Sequence, residues 1–294
     1  MKYINFKSLF LMFAITSCGK LSESVSETRG LGTPWGQIKG KMTQKYNAFQ
    51  KGESVCIAKF DADKQKYRVY AHTGGNRCDK SLKSGYVPKN VISYDSNAFG
   101  KFLVEQKSNS AISVEMRYSG NKIFPKNKGG YYINKPLYGK GRCFLHPNAK
   151  GMLNTAASAL KSRKGANARL IILDCYRPKY VSAYMYETIV NSGISNPRQW
   201  VAPKSFHNKG GAVDLTWGYY DQSSGLVKPV DMGSQFDSFS PASKYNFPGV
   251  TEKQRQNRSF LRQVMKGAGF EAYDGEWWDF RTGNANEEFL DLPL

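Results

Sequence analysis

In the stretch SFHNKGGAVDL, Ser205 to Leu215, His207 and Asp214 stand seven residues apart with Gly210 and Gly211 between them. Two glycines let the chain fold back without a penalty at positive φ. The run that follows alternates, with Ala212, Asp214 and Thr216 on one face and Val213, Leu215 and Trp217 on the other. That is the pattern of a half-buried strand. An imidazole at the turn and a carboxylate on the strand can then converge on one point, a pair that suits Zn²⁺ with nitrogen and oxygen ligands. About sixty residues later, GEWWDF (Gly275 to Phe280) supplies Glu276, a carboxylate of the kind that acts as general base in a zinc hydrolase. The plain alternative is a turn histidine and a strand aspartate that satisfy local hydrogen bonds.

A scaffold must hold these groups. Pro147 begins a helical stretch to Ser162, with Leu153, Ala157 and Leu160 on one stripe. The run ARLIILDC, ending at Cys175, reads as a buried strand, and Lys179 to Val190 as a second helix. Gly218 to Pro248 is long and irregular, the mark of a functional or rim loop, and its Asp231 and Asp237 read as loop-shaping residues. Thr251 and Gln254 form a capping-box start to a helix ending near Gly267. The strand EWWDFR closes the domain, with Trp277 and Trp278 on its two faces. Strands interleaved irregularly with helices, in runs too short for a doubly wound array, predict an α+β domain with a small antiparallel sheet flanked by helices.

Four motifs, CYRP (Cys175 to Pro178), SFHNKGGAVDLTW, VDMGSQFD (Val230 to Asp237) and GEWWDF, follow in the order and approximate spacing of zinc D-alanyl-D-alanine dipeptidases, which they resemble. Weaker similarity runs through MRYSGNKIF (Met116 to Phe124) and GRCFLHP (Gly141 to Pro147). The resemblance implies one Zn²⁺ per chain, held by His207 and Asp214, with Glu276 as catalytic base and Arg177 stabilising the tetrahedral transition state. Arg177 has a second reading, a salt bridge to Asp174 at the strand end. One position departs from the pattern: the family reads E-x-W-H, with that histidine as third ligand, and this chain has Asp279. Neither of the other two histidines, His72 and His146, obviously replaces it. A His207–Asp214–Asp279 set is harder and more anionic, which shifts preference toward metals such as Mn²⁺. The implied function is metal-dependent hydrolysis of D-Ala-D-Ala in cell-wall metabolism. The alternatives are a D,D- or L,D-carboxypeptidase or endopeptidase on stem peptides, and an inactive fold that binds cell wall.

The rest of the chain reads as delivery. Lys2 and Lys7, an apolar run from Leu9 to Ile15, and ITSC ending at Cys18 form a secretory signal (1–17) that resembles the bacterial lipobox. The expectation is export with a lipid on Cys18, at the periplasmic face of the outer membrane in a Gram-negative cell. Residues 18–34 read as a flexible tether, 35–97 as a small all-β domain, and 110–294 as the dipeptidase-like domain. SGYVPKNVISY (Ser84 to Tyr94) resembles the signature near the end of SH3-like barrels. Beyond Cys18, four cysteines in an oxidising compartment suggest Cys56–Cys78 and Cys143–Cys175, with a free buried thiol as the alternative for Cys175. The formal charge is +20, with twelve basic against four acidic residues between Lys39 and Ile92. For an exported protein the expectation is attraction to anionic cell wall and phospholipid headgroups, with a cationic surface that serves solubility alone as the alternative; a nucleic-acid partner is not expected.

Overall fold

The structure, a computed structural model, describes residues 39–61, 66–71, 83–88, 91–94, 102–119, 141–191, 193 and 196–286. The signal, Cys18, the tether, His72 and Cys78 lie outside the described residues. The architecture is mixed, with three α-helices and three sheets among the described residues.

The N-terminal unit contains β1 (Lys39–Met42), β2 (Ser54–Asp61), β3 (Lys66–Ala71), β4 (Ser84–Pro88) and β5 (Ile92–Tyr94). They pair antiparallel in the order β4-β3-β2-β1-β5. Period-two alternation sends Val55, Ile57, Tyr67, Val69 and Val87 inward. That core also takes in Leu103, Phe144 and Tyr176. The unit is therefore not an isolated bead on a linker: the tyrosine of the CYRP motif is part of its packing.

In the C-terminal unit, β6 (Val104–Gln106) and β8 (Cys143–Leu145) form a two-stranded ribbon. The main sheet contains β7 (Ile112–Val114), β9 (Ala168–Asp174), β10 (Ala212–Asp221), β11 (Leu226–Pro229), β12 (Glu271–Ala272) and β13 (Asp279–Arg281). Its order is β12-β13-β10-β9-β7, with β11 pairing β10. One pair departs from the antiparallel sheet expected: β7 runs parallel to β9. The intervening chain includes α1 (Pro147–Lys164), which packs on β9 and supplies the crossover that a parallel pair requires.

Helix α1 starts where His146 caps it, its ring accepting from the Asn148 N–H at 3.3 Å, and Pro147 sits where a missing N–H costs nothing. Ala149, Leu153, Ala156, Ala157 and Leu160 are buried, while Lys161, Arg163 and Lys164 meet the negative end of the helix dipole. Helix α2 spans Lys179–Asn191, and α3 spans Glu252–Gly267 behind the expected Thr251–Gln254 capping box. Buried Arg258 of α3 organises the long loop before it. It donates to the carbonyls of Met232 at 2.6 Å, Lys244 at 2.7 Å and Ala242 at 2.9 Å.

The closing strand is shorter than EWWDFR suggests. Only Asp279–Arg281 joins the ladder, because Trp277 turns away to donate its N–H to Ser243 O and its indole N–H to Ser234 Oγ. Both tryptophans are buried, edge to face with centroids 5.1 Å apart, rather than on opposite strand faces. Glu276 consequently lies off the ladder, between the turns at 274–275 and 277–278.

Candidate metal centre

His207 is carried by a 3₁₀ turn, Phe206–Lys209, whose sequence closes it at both ends. Ser205 Oγ accepts from the His207 N–H at 3.1 Å, and Asn208 Oδ1 accepts from the Ser205 N–H at 2.9 Å. Gly210 ends the turn at φ 67°, where any side chain would also strike Leu103 and the backbone of His146. At Gly211 a Cβ would lie 2.9 Å from the carbonyl of Thr282. The paired glycines thus serve left-handed backbone at one position and close approach at the other.

The histidine turn is tied to the arginine loop. Asn208 Nδ2 donates to Arg177 O at 2.7 Å and to Ser182 Oγ at 2.9 Å, and the Arg177 N–H donates to His207 O at 3.2 Å. A disulfide joins Cys143 to Cys175, as expected, and so fixes the end of β9. Cys56 is also disulfide-bonded; its expected partner, Cys78, is outside the described residues.

His207 Nδ1 lies 2.6 Å from the carbonyl of Cys175 and donates to it. The proton is thereby placed on Nδ1, leaving the Nε2 lone pair available, the arrangement usual for a metal-ligating histidine. Nε2 lies 3.3 Å from Asp214 Oδ1, and that buried oxygen has no hydrogen-bond partner. An unpaired carboxylate oxygen in the interior costs free energy unless a cation or donor meets it. The donor set therefore fits a divalent ion on the Nε2 side of the ring. Asp174, His207 and Asp214 all present ligand atoms within 4.8 Å of one another. Asp174, however, faces the Nδ1 edge at 3.6 Å and accepts both Nε and Nη2 of Arg177, at 2.9 and 2.7 Å. It supports the site from behind.

Asp279 stands in register opposite Asp214 across the β10–β13 ladder. Both its oxygens accept from Arg281: Nε reaches Oδ1 at 3.1 Å and Oδ2 at 2.9 Å, and Nη2 also contacts Oδ2. His207, Asp214, Glu276, Asp279 and Arg177 line one cavity of about 80 Å³, together with Tyr118, Asp237, Arg198 and Arg281. His146, the cap of α1, is not among its lining residues.

Charge in this cavity is crowded and dry. Burial raises the pKa of Glu276 well above the usual carboxylate range, and Asp279, Asp214 and Asp237 push it further. Burial likewise raises Asp214, against the opposing pull of His207. Burial alone would lower His207, but facing Asp214 outweighs it and the imidazole is raised. Asp237 is pushed up to about 7, chiefly by burial. These are the shifts expected where several acids are buried together in one site.

Sequence reasoning missed two groups and misread a third. Asp231 shapes its loop as expected, accepting from the Gly233 N–H and Gln254 Nε2. Asp237 instead reaches the cavity, where Tyr118 donates to it. Only Tyr118's place in MRYSGNKIF hinted at this. Arg281 was legible as an i, i+2 neighbour of Asp279 on a strand, which puts both on one face.

Taken together, an α+β scaffold presenting a buried His–Asp pair, an adjacent glutamate and arginine in one cavity defines a metallohydrolase-type site. Residues 132–293 match the D-ala-D-ala dipeptidase family. A D-alanyl-D-alanine dipeptidase of Enterococcus faecium is 33% identical over 164 residues, 49% of this chain and 79% of the relative. Proteins of the same name from Enterococcus faecalis and Streptomyces coelicolor are 37% and 35% identical over 82 and 99 residues, or 28% and 33% of this chain and 39% and 47% of theirs. The chain belongs to the D-Ala-D-Ala dipeptidase family.

Proposed function

We infer that the protein is a zinc-dependent peptidase that hydrolyses D-Ala-D-Ala in cell-wall metabolism. The observation that carries this reading is the buried Asp214 Oδ1, without a hydrogen-bond partner and 3.3 Å from His207 Nε2, in a cavity that also holds Glu276. His207, Asp214 and Asp279 would hold the metal. When bound, zinc supplies Lewis-acid activation of water and of the scissile carbonyl.

The remaining work falls to the chain's own side chains. Glu276, whose carboxylate lines the same cavity, accepts a proton from the nucleophile and passes it to the leaving amine. Arg177, fixed by Asp174 and by the Asn208 bond to its carbonyl, holds positive charge where the carbonyl oxygen becomes an oxyanion. Asp237, on the same wall, gives a substrate α-ammonium an acidic partner. The small cavity favours a dipeptide. A reading with longer stem peptides draws on a second hollow of about 620 Å³, lined by Arg117, Thr216, Phe236 and Trp277, each one or two residues from a residue of the first.

The test is D-Ala release from D-Ala-D-Ala and from a pentapeptide ending in it, with wild type and Glu276→Gln. Wild type should turn over the dipeptide faster, and Glu276→Gln should lose turnover while keeping zinc. Equal, null rates for both proteins on both substrates would leave a wall-binding pseudo-peptidase as the better account. On sequence grounds we also propose export, a lipid on Cys18 and an SH3-like N-terminal module that draws the enzyme to anionic cell wall.

A further inference from the structure

Two carboxylates in register on neighbouring strands repel each other, and Asp214 faces Asp279 in that way, with Glu276 in the same cavity. Placing a divalent ion among three acids and one histidine would leave the site with excess negative charge unless something offsets it. Arg281 lies two residues from Asp279 on β13 and grips both of its oxygens. The guanidinium is itself stacked 4.1 Å from the Tyr273 ring centroid and lies 5.8 Å from that of Phe206, the residue before His207. Unlike a surface ion pair, this one is walled in on the carboxylate side, where Asp279 is 4% exposed.

We propose that Arg281 is the positioning residue that makes an aspartate serviceable as the third metal ligand, and that Asp279 and Arg281 act together as one neutral oxygen donor. A carboxylate has about four lone-pair sites, so an oxygen gripped by a guanidinium still has a lone pair to offer a metal. The grip fixes the carboxylate's orientation, and the positive charge brings the pair to the net charge of a neutral ligand such as histidine. The inference rests on the metallopeptidase reading and concerns only how the third ligand is held.

The experiment measures Zn²⁺ affinity by competition with a chromogenic chelator, using intact protein and no turnover. Arg281→Gln should bind zinc 10- to 100-fold more weakly, the range for losing a partner that orients a ligand. Arg281→Lys should recover only part of this, because an ammonium lacks the planar fork; it also serves if the glutamine variant folds poorly by circular dichroism. In an Asp279→His background, adding Arg281→Gln should cost nothing, since no carboxylate remains to be held. Affinity unchanged or tighter in Arg281→Gln would overturn the proposal, because Arg281 would then be holding Asp279 away from the metal. An equal loss in both backgrounds would overturn it too, by assigning Arg281 to general support of the fold. A His207→Ala control separates the two levels: if it binds zinc as wild type does, the metal-site reading itself fails.

Discussion

Two carboxylate–arginine pairs flank the His207–Asp214 couple, and they are built differently. Asp174–Arg177 is sealed, with side chains 0% and 8% exposed. It is anchored by the Cys143–Cys175 disulfide and by the Asn208 bond to Arg177 O. Asp279–Arg281 lies on a three-residue strand, and its arginine is 31% exposed over an aromatic ring. The first pair backs the histidine and reaches Asp214 through Arg177 Nη2, 3.8 Å from Oδ2. The second faces Asp214 across the ladder. The difference teaches that one chemical unit can do two jobs. A sealed, desolvated pair can hold fixed charge for a reaction, whereas a pair whose arginine is partly open to solvent can hold a ligand's carboxylate in place.

The largest effect should come from breaking the sealed pair. Arg177→Met should lower kcat about 10²- to 10³-fold while zinc affinity stays within about threefold, the reverse of the pattern expected at Arg281. Steady-state kinetics beside chelator competition will show it. If Arg177 only neutralised Asp174, pairing the change with Asp174→Asn would relieve the stranded charge and restore kcat; no such rescue is expected.

Next is the disulfide that only the first pair enjoys. Cys143→Ala with Cys175→Ala opens a link of sequence separation 32 and should cost about 3–4 kcal/mol in urea unfolding. Because Cys175 O orients His207 and the same segment carries Arg177, kcat and zinc affinity should fall together. A loss of stability with both unchanged would show that the pair is held by packing alone.

Asp237 sharpens the comparison from the cavity wall, as a buried acid to which Tyr118 donates. Its folded pKa, about 7, lies above the ordinary carboxylate value because of burial. A raised acid contributes stability below its unfolded pKa, and this is lost as pH rises through the folded value. Asp237→Asn should therefore melt above wild type at pH 8 and level with it near pH 4, in metal-free protein. A gap independent of pH would contradict the assignment. The smallest effect is expected at Tyr273: replacing it with Leu removes a cation–π contact of about 0.5–1 kcal/mol. Zinc affinity should fall no more than about fivefold.

Much of this was legible beforehand. Helix limits followed from Pro147, the Thr251–Gln254 box and the periodic apolar stripes, because those signals are local. Alternation along 212–217 placed Asp214 on a strand, and the motifs named His207, Arg177 and Glu276 as neighbours. The parallel β7–β9 pairing escaped, since strand direction depends on a crossover rather than on composition.

By itself, then, the sequence determined the family and the two-residue spacing of Asp279 and Arg281, both of which are matters of identity and order along the chain. Only the tertiary structure decided which ring nitrogen of His207 faces Asp214, that Asp174 stands behind the imidazole while Asp279 stands across the ladder, and that Asp237 turns inward to Tyr118. Those facts depend on where a distant carbonyl, Cys175 O, and distant strands come to rest. A lone pair's direction is set by its hydrogen-bond partner in space, and no reading along one chain contains that.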